Sequence, residues 1–169
     1  MEPILKTKRL VLRNLAWEDA PVIHGYRNDE RCYVYQRWED TSLGAVHHLI
    51  EASMTDVFLS DKDEQHYAVA TREGTLVGEL SYFYTARDRC ITLGITIAPE
   101  YQRLGFAFEL LEAVVKTARH GHPQLDLVAL IDPRNAASIA LFEKLGFCRE
   151  CYAENIDSLV YVLEGIGEK

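Results

Sequence analysis

No run in this 169-residue chain stays apolar for the roughly 20 residues that a membrane-crossing helix needs. The opening MEPILKTKRL has no apolar stretch of signal-peptide length after its charges, so a cytoplasmic protein is the expectation. Positive charge is scarce as well: 18 Lys and Arg stand against 26 Asp and Glu, a net charge of −8. A general nucleic-acid binder takes its affinity from clustered Lys and Arg, so the balance argues against that class and is compatible with a cationic substrate. Cysteine is limited to Cys32, Cys90, Cys148 and Cys151. The last two have C-x-x-C spacing, but FCRECYA reads as a strand, on which residues three apart point to opposite faces. No second Cys or His pair stands near them to complete a zinc site, so idle thiols are expected. His47-His48 and His120-Gly-His122 also lack a third ligand in sequence, and no metal is inferred. Neither G-x-x-x-x-G-K-[ST] nor G-x-G-x-x-G occurs, which disfavours the common nucleotide-binding loops.

What is present is an alternation of strands and helices. TKRLVLRNL (7–15) reads as a strand and WEDAPVIHGYRND as a short helix. RCYVYQRWED reads as a polar-aromatic loop, and Thr41 or Ser42 can cap a second helix running to about Phe58. QHYAVAT and TLVGELSYFYT flank REG as a hairpin, and RCITLGITIA is a further strand. A helix follows Gly105, then the strand LDLVALI, a helix stopped at Gly146, and the strands FCRECYA and DSLVYVL. The order is βααβββαβαββ, an α/β (α+β) domain spanning 1–169 with a mixed sheet of about seven strands and four helices. GIGEK reads as a frayed tail.

The helix after Gly105 places Leu110, Leu111, Val114 and Ala118 on one apolar face. A glycine inside its first turn would cost about 1 kcal/mol relative to alanine. Glycine there also bares the unpartnered N–H groups and the partly positive end of a helix, which is the physics of a phosphate-binding turn. A turn that merely joins strand to helix is the alternative.

Gln102-Arg103-Leu104-Gly105-Phe106-Ala107 matches the Q/R-x-x-G-x-G/A signature of the GNAT N-acetyltransferases. TKRLVLR, LGITIAPEYQ and NAASIALFEKLGF resemble, in order and spacing, segments of the ribosomal-protein N-terminal acetyltransferase (Rim-type) branch. The resemblance implies a GNAT fold and acetyl-CoA as co-substrate. It implies that backbone N–H groups from Arg103 to Phe108 hold the CoA pyrophosphate. It further implies that the pantetheine arm lies between the splayed strands ITLGITIA and LDLVALI, with Ile97 N–H facing the developing oxyanion. Asn135 matches a residue that contacts the CoA arm, and it can equally cap its helix. Arg103, Arg134 and Lys144 are candidates for the phosphates.

Acetyl transfer needs a neutral amine, a stabilised oxyanion and a proton for the departing thiolate. Phe142 stands where many relatives have a Tyr donor. Rim-type members carry a Ser at the position of Ser138, so the resemblance implies Ser138 as the donor and as a further CoA-site residue, with Tyr101, Tyr82 and Tyr84 as spare donors. Thr92 stands where relatives often have Glu, which leaves Glu79, His66 or Asp157 as base, Glu79 first. At pH 7.5 roughly a third of an α-amine is neutral but only ~0.1% of a lysine, so the base matters less for an N-terminus. Tyr33, Tyr35 and Trp38, beside Asp29, Glu30, Glu39 and Asp40, are the expected amine-binding wall. The acceptor is a peptide N-terminus or a small-molecule amine, on a monomer or homodimer. A binding or sensor module that keeps the fold without catalysis is the alternative reading.

Overall fold

The structure, a computed structural model, describes residues 2–167. Among them eight strands form one sheet in the order β1-β2-β3-β4-β5-β6-β8-β7. The chain runs β1 (Leu5–Lys6), β2 (Leu10–Asn14), α1 (Ala20–Arg27), α2 (Glu30–Tyr33) and α3 (Leu43–Ser53). It continues with β3 (Glu64–Thr71), β4 (Leu76–Thr85), β5 (Cys90–Ile97), α4 (Phe106–Gly121) and β6 (Asp126–Ile131). α5 (Ala136–Lys144), β7 (Cys148–Ala153) and β8 (Ser158–Leu163) complete it. No helix among the described residues is long and apolar enough to cross a membrane.

The mixed α/β fold and the order of its main elements follow the sequence pattern, and the departures have local causes. The strand expected over 7–15 is confined to β2, and a two-residue β1 precedes it; between them Thr7 Oγ1 accepts from Leu10 N–H at 3.0 Å and closes a turn. The aromatic loop opens with a one-turn helix, α2, because the Asp29 carboxylate accepts from Arg31 N–H at 2.9 Å. Ser42, not Thr41, caps α3, which ends at Ser53 rather than near Phe58. The supposed tail is anchored as far as Ile166: Gly165 N–H donates to Asp126 and Ile166 N–H to Pro123 O, each at 2.6 Å. Glu168 and Lys169 lie outside the described residues.

Two cores sandwich the sheet. Leu110, Leu111, Val114 and Ala118 of α4 and Phe142 of α5 pack with Leu12, Tyr67, Leu80 and Leu127. Ile23 and Tyr26 of α1 and Val46 and Ile50 of α3 pack with Leu15, Ala68 and Leu76. Gly146, at φ 91°, terminates α5 in the left-handed conformation that glycine adopts without penalty.

The strands part company in the middle of the sheet. β5 and β6 are parallel and pair only at Cys90–Asp126, Ile91–Leu127 and Thr92–Val128. Beyond Thr92, β5 stays with β4 as far as Ile97–Gly78, while β6 stays with β8 as far as Ile131–Leu159. The β4–β5 contact is too close for a side chain at Gly78, whose added Cβ would lie 2.1 Å from Thr96 O. Ala98 N–H bonds Val77 O at 2.9 Å, so the adjacent pair Gly78–Ile97 is of the non-hydrogen-bonded kind. Ile97 and Ile95 therefore turn their backbone N–H groups away from β4, into the gap.

Gly78→Ala is expected to lower stability by about 3 kcal/mol, because backbone rather than a mobile side chain occupies the space. Gly25→Ala in α1, where an added Cβ meets nothing within 4 Å, is expected to raise stability by about 0.5–1 kcal/mol. Thermal or denaturant unfolding of the two variants checks both signs.

Candidate active site

Two cavities share the gap between β5 and β6. One, of about 540 Å³, runs from Ile97 past the turn Gln102–Phe108 to the start of α5. The other, of about 370 Å³, has a floor of strand residues that includes His66, Glu79 and Thr96 and a wall that includes Trp38 and Phe142. Ile95, Thr96, Asn135 and Ser138 line both.

The turn opens α4 and leaves the first N–H groups of the helix free of helical acceptors. Gly105 stands one residue before α4 as its N-cap, with φ 79°, rather than inside the first turn. An L-residue held there costs about 1–2 kcal/mol, so the backbone itself asks for glycine. Arg103 is also left-handed, at φ 61°. The helical hydrogen bonds begin with Glu109 N–H to Gly105 O at 3.1 Å, which leaves the N–H groups of Phe106, Ala107 and Phe108 without helical acceptors.

Side chains brace this turn from two sides. Gln102 Nε2 donates to Ile97 O at 2.9 Å, so the Gln102 side chain fixes the turn to the end of β5. On the far side, Glu109 accepts from Thr7 Oγ1 at 2.6 Å and from Arg9 N and Nε at 2.7 and 2.6 Å. Arg9 Nη1 also donates to Leu104 O at 2.9 Å; Leu104 contributes that carbonyl while its side chain is 51% exposed. Burial raises the Glu109 carboxyl, but the bonds from Thr7 and Arg9 outweigh it, and the net direction is downward. The sequence offers these residues only as parts of a strand and a helix about 100 positions apart, so nothing local reveals the clamp. Lys144, in the last turn of α5, holds its ammonium 4.2 Å from the Phe108 ring centre, beside the same turn.

α5 supplies the junction of the cavities. Asn135 caps it, with Oδ1 accepting from Ser138 N–H at 3.1 Å. Phe142 is buried edge-on against Phe147 at 5.1 Å and has no proton to give. Arg134 is committed to Asp132 at 2.8 Å and lies over the Tyr35 ring. That hydrogen bond brings the Asp132 carboxyl down from 3.8 to about 2.

In the smaller cavity Glu79, 3% exposed, accepts from Arg27 Nη2 and Nε at 2.7 and 3.1 Å through Oε1. Its Oε2 is buried without a partner. The Arg27 guanidinium stacks over Trp38 at 4.7 Å, which ties the aromatic loop to the strand. Burial, then the neighbouring Glu79 carboxylate through its charge and hydrogen-bonding reach, pushes the buried Tyr26 hydroxyl well above its ordinary range. His66 Nε2 lies 2.8 Å from Glu64 Oε1, and its Nδ1 is buried without a partner. The hydrogen bond with His66 lowers the Glu64 carboxyl.

Of the expected amine-binding wall, Tyr35 and Trp38 reach the cavities, whereas Tyr33 is 47% exposed and lines neither. The loop carboxylates Asp29, Glu30, Glu39 and Asp40 line neither as well. Asp29 is held by Arg31, and Asp40 accepts from Ser42 N–H at 2.8 Å. The carboxylates that do arrive are Glu64 of β3, Glu79 of β4 and Asp132, the residue after β6. Thr92 and Asp157 line neither cavity. Among the described residues no group of three His, Cys, Asp or Glu could hold a metal ion.

The Asp132 carboxyl binds its proton less readily when folded than unfolded. Its ion pair therefore adds stability above pH 3.8, and the gain is lost as pH falls toward about 2. The stability difference between wild type and Asp132→Asn is expected to be constant above pH 5 and to shrink between about pH 4 and 2, read by denaturant unfolding at each pH.

Residues 9–148 match the family model described as the acetyltransferase (GNAT) domain. The N-acetyltransferase YoaA of Bacillus subtilis is 31% identical over 159 residues, covering 89% of this chain and 85% of its own. The spermidine N-acetyltransferase of Vibrio cholerae, solved with CoA and spermine, superimposes with a TM-score of 0.72 at 22% identity, over 90% of this chain and 92% of its own. RimL, a ribosomal alpha-N-protein acetyltransferase solved with CoA, superimposes with a TM-score of 0.78 at 19% identity, over 96% and 98%. A family model that spans most of the chain and a relative at this identity carry one conclusion: the chain belongs to the GNAT acetyltransferase family.

Proposed function

We propose that this chain moves an acetyl group from acetyl-CoA directly to a primary amine, in the manner of the Rim-type branch. The observation that carries the reading is the meeting of the two cavities at Ile95 and Thr96, on the strand edge that lacks a partner, and at Asn135 and Ser138 at the start of α5. CoA is held by the N–H groups of Arg103 to Phe108, with Lys144 beside its phosphates, and its arm lies along Ile95 and Ile97 as an added strand. The other cavity brings the amine, past Tyr35 and Trp38, to Glu79.

The chemistry then uses few side chains. Glu79 Oε2, which has no partner of its own, binds the ammonium and takes the proton that must leave before attack. The amine nitrogen forms a bond to the thioester carbon, and Ile97 N–H receives the oxyanion. As the carbon–sulfur bond breaks, Ser138 Oγ–H gives its proton to the thiolate and regains one from the amine nitrogen. No covalent enzyme intermediate is needed. The acceptor is a protein N-terminus or a small-molecule amine; the two structural neighbours act on one of each kind.

Thiol release from acetyl-CoA across a panel of amines and peptides tests the reading. Release with at least one acceptor is expected, and stabilisation by CoA without release from any acceptor would favour the binding module instead. Ser138→Ala is expected to lower kcat by about 100-fold while changing acetyl-CoA affinity far less. Gly105→Ala and Gly105→Glu share the left-handed backbone penalty, so their folding losses should be similar, about 1–2 kcal/mol. Only the glutamate puts a carboxylate at the phosphate turn. CoA affinity measured by calorimetry should fall much further for Gly105→Glu than for Gly105→Ala, and equal losses would return Gly105 to a purely structural role.

A further inference from the structure

Cys148 and Cys151 lie on β7, at the outer edge of the sheet, and both are exposed. In an uninterrupted strand, residues three apart face opposite ways, which is why two unrelated thiols are expected from the spacing. β7 is interrupted. Its register against β8 runs Cys148–Val162, Arg149–Tyr161, then Cys151–Val160, so Glu150 is the extra residue of a β-bulge. Val160 and Val162 are two apart on an unbroken strand and share a face, and the bulge brings the cysteines opposite them onto that same face. Leu159 and Tyr161 point into the core, so the thiols belong to the other side of the sheet. There Val160 and Val162 are half-buried, and Leu130, paired with Val160, is 47% exposed.

We infer that Cys148 and Cys151 form a two-thiolate binding site for a single soft cation of the copper(I) type. Magnitudes favour an ion over a disulfide. Standing opposite Val162 and Val160, two residues apart on β8, sets the two Cβ atoms about 7 Å apart, whereas a disulfide needs them about 3.8 Å apart. Taking the zinc–thiolate length of about 2.3 Å as the scale of a metal–sulfur bond, two such bonds in line let the sulfurs stand about 4.6 Å apart, a span that two side chains on one face reach by leaning together. Thiolates select soft ions. Among the described residues no third His, Cys, Asp or Glu completes a cluster here, which suits a two-coordinate ion and not four-coordinate zinc. The valines beside the thiols keep water from one side of the ion. Binding forms two metal–sulfur bonds and releases the two thiol protons. Neither cysteine lines either cavity, so the site stands apart from the transferase reading.

Anaerobic titration of the full chain with copper(I), in competition with a chromophoric copper(I) chelator, tests the site. One ion per chain is expected. Cys148→Ser and Cys151→Ser should each weaken it by about 100-fold or more, since each removes the benefit of a second ligand on the same scaffold. Cys90→Ser, outside the pair, should bind as wild type does. Both cysteines are exposed, so the metal-free variants should melt with the wild type, and thermal unfolding verifies this. Retention of the ion by the Cys148→Ser/Cys151→Ser double variant would overturn the inference, as would loss in only one single variant. Ready formation of a Cys148–Cys151 disulfide with glutathione disulfide would contradict the spacing on which it rests.

Discussion

Past Thr92, strand β5 has a partner on one side only, and the rest of the molecule is arranged around that unpaired edge. Backbone N–H groups inside a protein need acceptors, and a gap in the middle of a sheet leaves them without any. The gap persists because each strand follows its outer neighbour. β5 is drawn to β4 where Gly78 leaves no Cβ in the way, and β6 continues along β8. A ligand that lies down as an extra strand satisfies the edge. The helix that follows β5 opens its free N–H groups at the end of that same gap.

Rigidity at the turn comes from contacts that would carry little weight as stabilisers. Arg9 is exposed, and its ion pair with Glu109 is of the surface kind, which contributes modestly to folding. Its value is positional: Arg9 reaches both the Leu104 carbonyl and the first turn of α4, while Gln102 holds the other side of the turn to Ile97. A binding turn fixed in advance loses less freedom when the ligand arrives. Glu79 and Arg27 differ, being a buried pair, so removal of either partner leaves a costly uncompensated charge. That pair also carries Trp38, so the smaller cavity, its aromatic wall and its carboxylate are one connected unit.

Local periodicity made the α4 face, the hairpin at Arg72–Gly74 and the stop at Gly146 legible in the sequence, because each depends on neighbours within a few residues. Leu110, Leu111, Val114 and Ala118 are buried as their spacing requires. What the sequence hid depends on register between distant strands. The loop carboxylates looked like the amine site only because they sit beside Tyr35 and Trp38 in sequence, whereas local caps and an ion pair with Arg31 occupy Asp29 and Asp40. Glu64, Glu79 and Asp132 meet in space without any shared motif. Gly105 showed that a turn was present, but its left-handed backbone and its place before the helix are properties of the fold. Cys148 and Cys151 were misassigned to opposite faces because a bulge residue, Glu150, cannot be told from an ordinary strand residue without its partner.

The claim that the unpaired edge of β5 is where the acyl donor lies is tested most directly by amide hydrogen exchange with and without acetyl-CoA. The account predicts strong new protection at Ile95 and Ile97 together with the turn from Arg103 to Phe108, and little change on the distant hairpin of β3 and β4 around Gly74. Stabilisation of the chain by acetyl-CoA with Ile95 and Ile97 exchanging as before would contradict it, and would place the ligand elsewhere on the fold.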